Sequence, residues 1–302
     1  ASLTPGDLFS GDQMDTSEVL VLDLELDRHG NRLLDVGAVI GTSEYHGTKL
    51  EGLKDLLARS RFVVGHNLVR HDAPFLRKRW GDQVFKGKDL VDTLGWSALL
   101  YADRPYHRLV KGYKLEDEEA ENNPLSDAKL CLELLKDLVG RFCGLPAGLK
   151  AAFHALLHDQ EGYGGLFTLA GHQASAPKAL EAILGHFGGE LCDRADLSGM
   201  VRDHPVELAH ALALIATSEA TSILPGWVVH ELPRTESILR QLRYTPCDDA
   251  DCTYCSRRLD PVLGLQEYFG YEAFRTFDEE SGMGIQERAV RSALAGRSLL
   301  TV

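Results

Sequence analysis

The sequence predicts an α/β domain built on a mixed β-sheet flanked by helices, followed by a mainly helical region. Three observations predict it. Residues 19–26 and 32–40 are apolar, β-branched runs joined by Asp27-Arg28-His29-Gly30-Asn31, a hairpin pattern. Strand-like and helix-like periods then alternate to about residue 140, the mark of a layered α/β architecture. Near Cys143-Gly144-Leu145-Pro146 the character changes, and beyond it helical periods separated by Gly- and Pro-containing loops prevail.

Taken in order, 49–59 has helical periodicity and Phe62-Val63-Val64-Gly65 reads as a short buried strand. Residues 73–80, 92–101 and 125–140 read as helices. Past the boundary, helices are expected over 147–158, 177–187, 205–217 and 234–243. Glu161-Gly162-Tyr163-Gly164-Gly165 is expected to be one of the separating loops. The division this implies is 1–143, a helical connector 144–245, and a terminal segment 246–302. No repeat and no low-complexity tract occurs. The closing run Ser298-Leu299-Leu300-Thr301-Val302 reads as a strand interrupted midway, so the chain is expected to be part of a longer one.

With 44% hydrophobic and 25% charged residues over 302 positions, the chain has the composition of a globular protein with a sizeable core. No apolar run approaches the roughly 20 residues that span a bilayer. The start of the chain lacks the basic and apolar regions of a secretory signal, so a cytoplasmic protein is expected. A net charge of −13 excludes broad basic coating as a means of holding nucleic acid. It leaves room for a local patch, such as Arg77-Lys78-Arg79 or the run from Arg104 to Lys114, or for metal ions that neutralise an acidic site. A solvated surface is the plainer reading of both patches.

Asp23 and Glu25 lie two apart on the hydrophobic run 19–26 and so share one strand face. Charge on a buried strand is costly, and two carboxylates pointing the same way repel unless a cation lies between them. Asp72 follows Gly65-His66-Asn67, and Asp127 opens an amphipathic helix. A solvent-facing strand is the alternative for the first pair, a plain helix N-cap for the other two.

These residues resemble the motifs of the DEDD, or DnaQ-like, 3′→5′ exonucleases. Asp23-Leu24-Glu25 matches the first motif, and Gly37 in the next strand fits. Gly65-His66-Asn67 with Asp72 matches the second, Asp92-Thr93-Leu94 the family's Asp-Thr-Leu, and Ser126-Asp127-Ala128 the third. The resemblance covers about residues 17–140. It implies an RNase H-like mixed sheet and hydrolysis of DNA to nucleoside 5′-monophosphates. It also implies one or two magnesium or manganese ions held by Asp23, Glu25, Asp72 and Asp127, with His66 and Asn67 shaping the strand-binding wall. Two metals about 4 Å apart supply nucleophile, charge neutralisation and leaving-group help. The family carries a general base five residues before the last Asp as His, or four before as Tyr; here those positions are Asn122 and Asn123. An amide does not take a proton from water near neutral pH, and losing a general base costs roughly 10²–10⁴-fold. Three readings stay open: metals alone activate water, another residue such as His107 serves, or the domain binds without cutting.

Cys247, Cys252 and Cys255 form Cys-x4-Cys-x2-Cys; Cys131, Cys143 and Cys192 are scattered. In a chain of this kind a cluster points to metal before disulfide. Three thiolates need a fourth ligand for tetrahedral zinc, and His230 and Cys192 are the candidates. An iron–sulfur cluster with Cys192 as fourth thiolate, or unliganded cysteines, are the alternatives.

The segment from Leu265 to Arg275, then Gln286-Glu287-Arg288 and Gly296-Arg297-Ser298, resembles the opening of RecQ-family DNA helicases, although Thr276 to Ile285 intervene where the family has little. That resemblance implies that the exonuclease-like domain precedes a helicase domain and works in DNA repair, with DNA single strands or 3′ ends as partners. No Gly-x4-Gly-Lys-Ser/Thr occurs, so the 302 residues hold no phosphate-binding loop of their own. A catalytically impaired module that binds DNA or regulates the helicase, and an RNA-directed exonuclease, are the competing functions.

Overall fold

A computed structural model describes residues 14–109, 123–172, 178–192, 194–217, 222–245, 247, 249 and 251–255. The chain divides into two compact units, Ala1–Ala179 and Leu180–Val302.

The first unit is built on β1 (Val19–Leu26), β2 (Leu33–Ile40), β3 (Ser43–Gly47), β4 (Phe62–Gly65) and β5 (Asp89–Asp92), in the order β3-β2-β1-β4-β5. β1 pairs antiparallel with β2, and β2 with β3, whereas β4 runs parallel to both β1 and β5. This five-stranded mixed sheet flanked by helices is compatible with the RNase H-like fold. β1 is central because Val19 to Leu22 and Leu24 are buried on both faces, as a strand covered by helices requires.

α1 (Glu51–Arg59) buries Leu53, Leu56 and Leu57, and α2 (Asp72–Trp80) buries Ala73 and Leu76. α3 (Thr93–Leu100) follows β5, with Asp92 as its N-cap accepting from the Leu94 amide. α4 (Pro124–Cys143) starts with Pro at the first turn and Asn123 as N-cap, whose side chain accepts from the Leu125 and Ser126 amides. Asp127 therefore sits one turn inside α4 and is not its cap. Asp72 likewise makes no cap; its carboxylate is turned to the sheet.

The two short strands β3 and β5 are additions to the expected list. β3, Ser-Glu-Tyr-His-Gly, is a polar sheet edge without apolar alternation, and β5 is four residues merged with the following helix signal. The unit also extends past the boundary expected near 143. α5 (Ala147–Leu157) and α6 (Gly164–Leu169) belong to it, and Trp96, Phe142 and Phe167 meet edge to face at 5.2–5.8 Å between centroids. The Gly162–Gly165 stretch, expected to be a spacer loop, instead carries the start of α6 onto β5. A Cβ on Gly165 would lie 2.7 Å from Val91 Cγ2 and 2.9 Å from the Leu90 carbonyl. Gly162 has φ +82°, and its carbonyl accepts from the Asp92 amide at 2.8 Å. These glycines mark close approach, not slack.

The second unit holds α7 (Ala179–Phe187), α8 (Leu197–Asp203), α9 (Pro205–Ala216), α10 (Gly226–Glu231) and α11 (Arg234–Arg243). α9 is buried from Leu208 to Ile215 and packs on α8 and α11. The helices expected near 177–187, 205–217 and 234–243 are present; α8 and α10, of seven and six residues, are too short to show a period. Among the described residues no helix is long and apolar enough to cross a membrane. Asn122, Lys114 and the helicase-like segment 265–302 lie outside the described residues.

Candidate functional site

Asp23 pairs across the sheet with Gly37, and Glu25 with Asp35. Gly37 carries no side chain, so the first turn of α4 lies directly on it: a Cβ there would fall 2.0 Å from the Leu125 nitrogen and 2.1 Å from the Pro124 carbonyl carbon. This close approach brings Asp127 over β1. Asp23, Glu25 and Asp127 each offer a carboxylate oxygen, all within 4.8 Å of one another, in a half-buried setting able to hold a metal ion. Burial, then the charges of Asp72, Asp127 and Glu25, push the Asp23 carboxyl up to about 7, with His71 opposing.

Asp72 stands beside this group, outside it. It is 1% exposed, and its Oδ1 accepts from the Leu24 amide at 3.0 Å, tying α2 to β1 between the two strand carboxylates. Its Oδ2 is buried with no hydrogen-bond partner among the described residues. A carboxylate oxygen left bare in the interior costs free energy unless something else binds it. Burial raises the Asp72 carboxyl, against hydrogen bonding from His71.

The His66–Asn67 segment is shaped from behind by Asp92. One Asp92 oxygen accepts from the Asn67 and Leu94 amides, the other from the Val69 amide, at 3.0–3.1 Å. Asn67 adopts φ +69°, a left-handed conformation that asparagine tolerates better than most residues. Its carbonyl accepts from the His71 amide, so it turns the chain into α2. His66 Nδ1 lies 3.0 Å from Thr93 Oγ1, and burial pushes this histidine down to about 4, leaving a neutral ring at physiological pH. Replacing Asp92 by Ala strands three backbone donors. The expected cost is about 3 kcal/mol, read as a lower urea midpoint; a change within ~0.5 kcal/mol would show that the loop holds itself.

His107 lies beside His66, its backbone hydrogen-bonded to the His66 ring. It is buried, with Nδ1 2.8 Å from Ser97 Oγ, and the charged groups acting on it are Arg104 and Asp103. His71 is the histidine that sequence reasoning passed over. Its Nδ1 is 3.4 Å from Asp72 Oδ1, and the hydrogen bond to Asp72, then the charges of Asp72, Asp23 and Glu25, raise it against burial. The signal was its place directly before Asp72, within a motif read for His66, Asn67 and Asp72.

The basic patches have mixed fates. Arg77 pairs with Glu161, and Arg104 stacks on the Tyr101 ring. Lys78 and Arg79, with Arg32, Lys49, Phe75 and Glu51, line a groove of about 450 Å³ on the first unit.

In the second unit Cys192, Cys247, Cys252 and Cys255 come together in a group able to bind zinc. The fourth member is Cys192, not His230. His230 projects into solvent, 83% exposed, and lies 2.9 Å from Glu231. In the sequence Cys192 is one of two candidates for the fourth place, set apart from the cluster because its partners stand 55 or more positions later. Comparison with protein-family models, curated proteins and solved structures returns no match to this chain.

Proposed function

We propose that the first unit is a divalent-metal-dependent 3′→5′ exonuclease domain of the DnaQ-like kind, acting on DNA. The observation that carries this reading is the meeting of Asp23 and Glu25 from β1 with Asp127 from α4, three like charges within 4.8 Å. An all-oxygen donor set suits magnesium or manganese, and the bare Asp72 oxygen beside it fits the same demand for positive charge. Bound there, a cation would neutralise charge on a phosphodiester and activate water.

The chain's own residues do the rest. Asp23, Glu25 and Asp127 would hold the metal. Asp72 anchors the Leu24 backbone and so keeps Asp23 and Glu25 aimed alike. His66, neutral, and the Asn67 turn present an uncharged wall against which a nucleotide can pack. The groove lined by Arg32, Lys49, Lys78 and Arg79 concentrates cationic groups in a chain of net charge −13, which supports phosphate contacts along a strand. The RecQ-like segment 265–302 favours DNA over RNA and a helicase as the continuing partner.

Asn123 favours a second reading, a module that binds DNA or regulates the helicase without cutting. It occupies the position where the family carries a tyrosine base, and its side chain is committed to capping α4. A 5′-labelled single-stranded DNA incubated with magnesium, manganese or chelator separates the two. A ladder shortening from the 3′ end, dependent on metal and lost in Glu25→Gln, is the expected result. Salt-dependent binding without cleavage under either metal would leave the second reading. Faster digestion of the same sequence as RNA would move the substrate to RNA.

A further inference from the structure

The cysteine group of the second unit is not used by the exonuclease reading. Its four sulfurs all lie within 4.8 Å of one another, and Cys192 and Cys252 Sγ are 3.9 Å apart. No disulfide joins them. One tetrahedral zinc with Zn–S bonds of about 2.3 Å sets its sulfurs about 3.8 Å apart. A polynuclear iron–sulfur cluster distributes its thiolates over different irons and holds them farther apart than the ligands of one ion. We propose that Cys192, Cys247, Cys252 and Cys255 bind a single structural zinc ion that fastens the chain after α11 to the loop after α7.

The surroundings are built for that join. The Cys192 amide donates to the Leu242 carbonyl at 2.8 Å, and the Tyr254 hydroxyl donates to the Arg243 carbonyl at 2.8 Å, so both cysteine-bearing segments are held to the end of α11. Arg194 and Asp249 form an ion pair at 2.8 Å between the same two segments. The Cys252 amide donates to the Asp249 carbonyl, making the tight turn that aims Cys252 and Cys255 at one point.

Cys192, Cys252 and Cys255 are each under 5% exposed. Among the described residues the small core they form contains Tyr254 but no large aliphatic side chain; Ala195 and Cys247 pack against it. So little apolar burial does not offset the entropy of ordering two chain segments, and metal–thiolate bonds supply the difference. Four protein ligands leave no open position for a substrate or water, which makes the site structural, not catalytic.

Metal analysis of the purified full chain tests this. About one zinc per chain is expected, released when a mercurial titrates the thiols. Cys192→Ser and Cys252→Ser are expected to carry almost none, while His230→Ala and Cys143→Ser keep the full amount. Because the Ser variants can misfold, the wild-type chain refolded with cobalt(II) provides a second readout, the intense visible absorption of tetrahedral cobalt thiolate. Stoichiometric iron with its own visible chromophore would overturn the proposal. So would a native protein with four freely titrating thiols and no metal, or zinc that survives Cys192→Ser and is lost in His230→Ala.

Discussion

Asp23→Asn is expected to cut metal-dependent cleavage severely and, with no metal present, to make the protein more stable. The two effects have one cause. Burial and the neighbouring carboxylates Asp72, Asp127 and Glu25 push the Asp23 carboxyl from 3.8 to about 7. The folded state therefore holds a proton that the unfolded state has released between about pH 4 and pH 7, so stability falls as pH rises through that window. The full displacement corresponds to roughly 4 kcal/mol against the ionised fold above pH 7, and to nothing below pH 4. Asparagine has no charge to desolvate, so the pH slope flattens and the urea midpoint at pH 8 in chelator rises. Magnesium or manganese stabilises the wild type by mass action and far less the variant. Cleavage drops by about 10²-fold or more, as for removal of a group placed to stabilise transition-state charge. A merely structural Asp23 gives the opposite outcome, a lower midpoint in chelator with an unchanged pH slope.

Gly37→Ala should destabilise the first unit by about 3 kcal/mol or more and weaken manganese binding at the same time. The added methyl meets backbone, with the Leu125 nitrogen at 2.0 Å and the Pro124 carbonyl carbon and oxygen at 2.1 and 2.3 Å. Backbone pinned by the Pro124 ring and the Asn123 cap does not rotate aside, so α4 has to lift from β2. Overpacking of this kind costs roughly 1–3 kcal/mol even where side chains can adjust. Lifting α4 carries Asp127 away from Asp23, which pairs directly with Gly37. Gly140→Ala on the same helix is the control: a Cβ there meets nothing within 4 Å, and alanine favours the helix by about 1 kcal/mol. Urea denaturation and calorimetric manganese titration of both variants decide it. Wild-type stability and affinity in Gly37→Ala would mean that the α4–β2 contact does not place Asp127.

Several parts of this protein were legible along the chain because they rest on local burial. The alternation of 19–26 and 32–40 around a polar turn yields the β1–β2 hairpin. Asp23 and Glu25 share a face because strands repeat every two residues. The period of 125–140 announces α4, and Cys-x4-Cys-x2-Cys announces three members of a cysteine group able to bind zinc. Each of these is a statement about neighbours a few residues apart.

What the linear pattern left undecided depends on where distant segments meet. β3 is polar and β5 is four residues long, so neither carries a period; each exists because an existing strand offers unpaired backbone groups. The Gly162–Gly165 stretch reads as a spacer until β5 lies against it. Asp72 and Asp127 carry the same charge and similar sequence contexts. Only the packing of α4 on Gly37 puts Asp127 beside Asp23 and Glu25, in a group able to hold a metal ion, while the Leu24 amide draws Asp72 to one side. Cys192 and His230 were equal candidates by residue type, and the fold brings the Cys192 sulfur, not the exposed His230 ring, within 4.8 Å of the other three sulfurs. Residue type and period determined which groups were available; the long-range contacts that fold the chain decided which of them share a site.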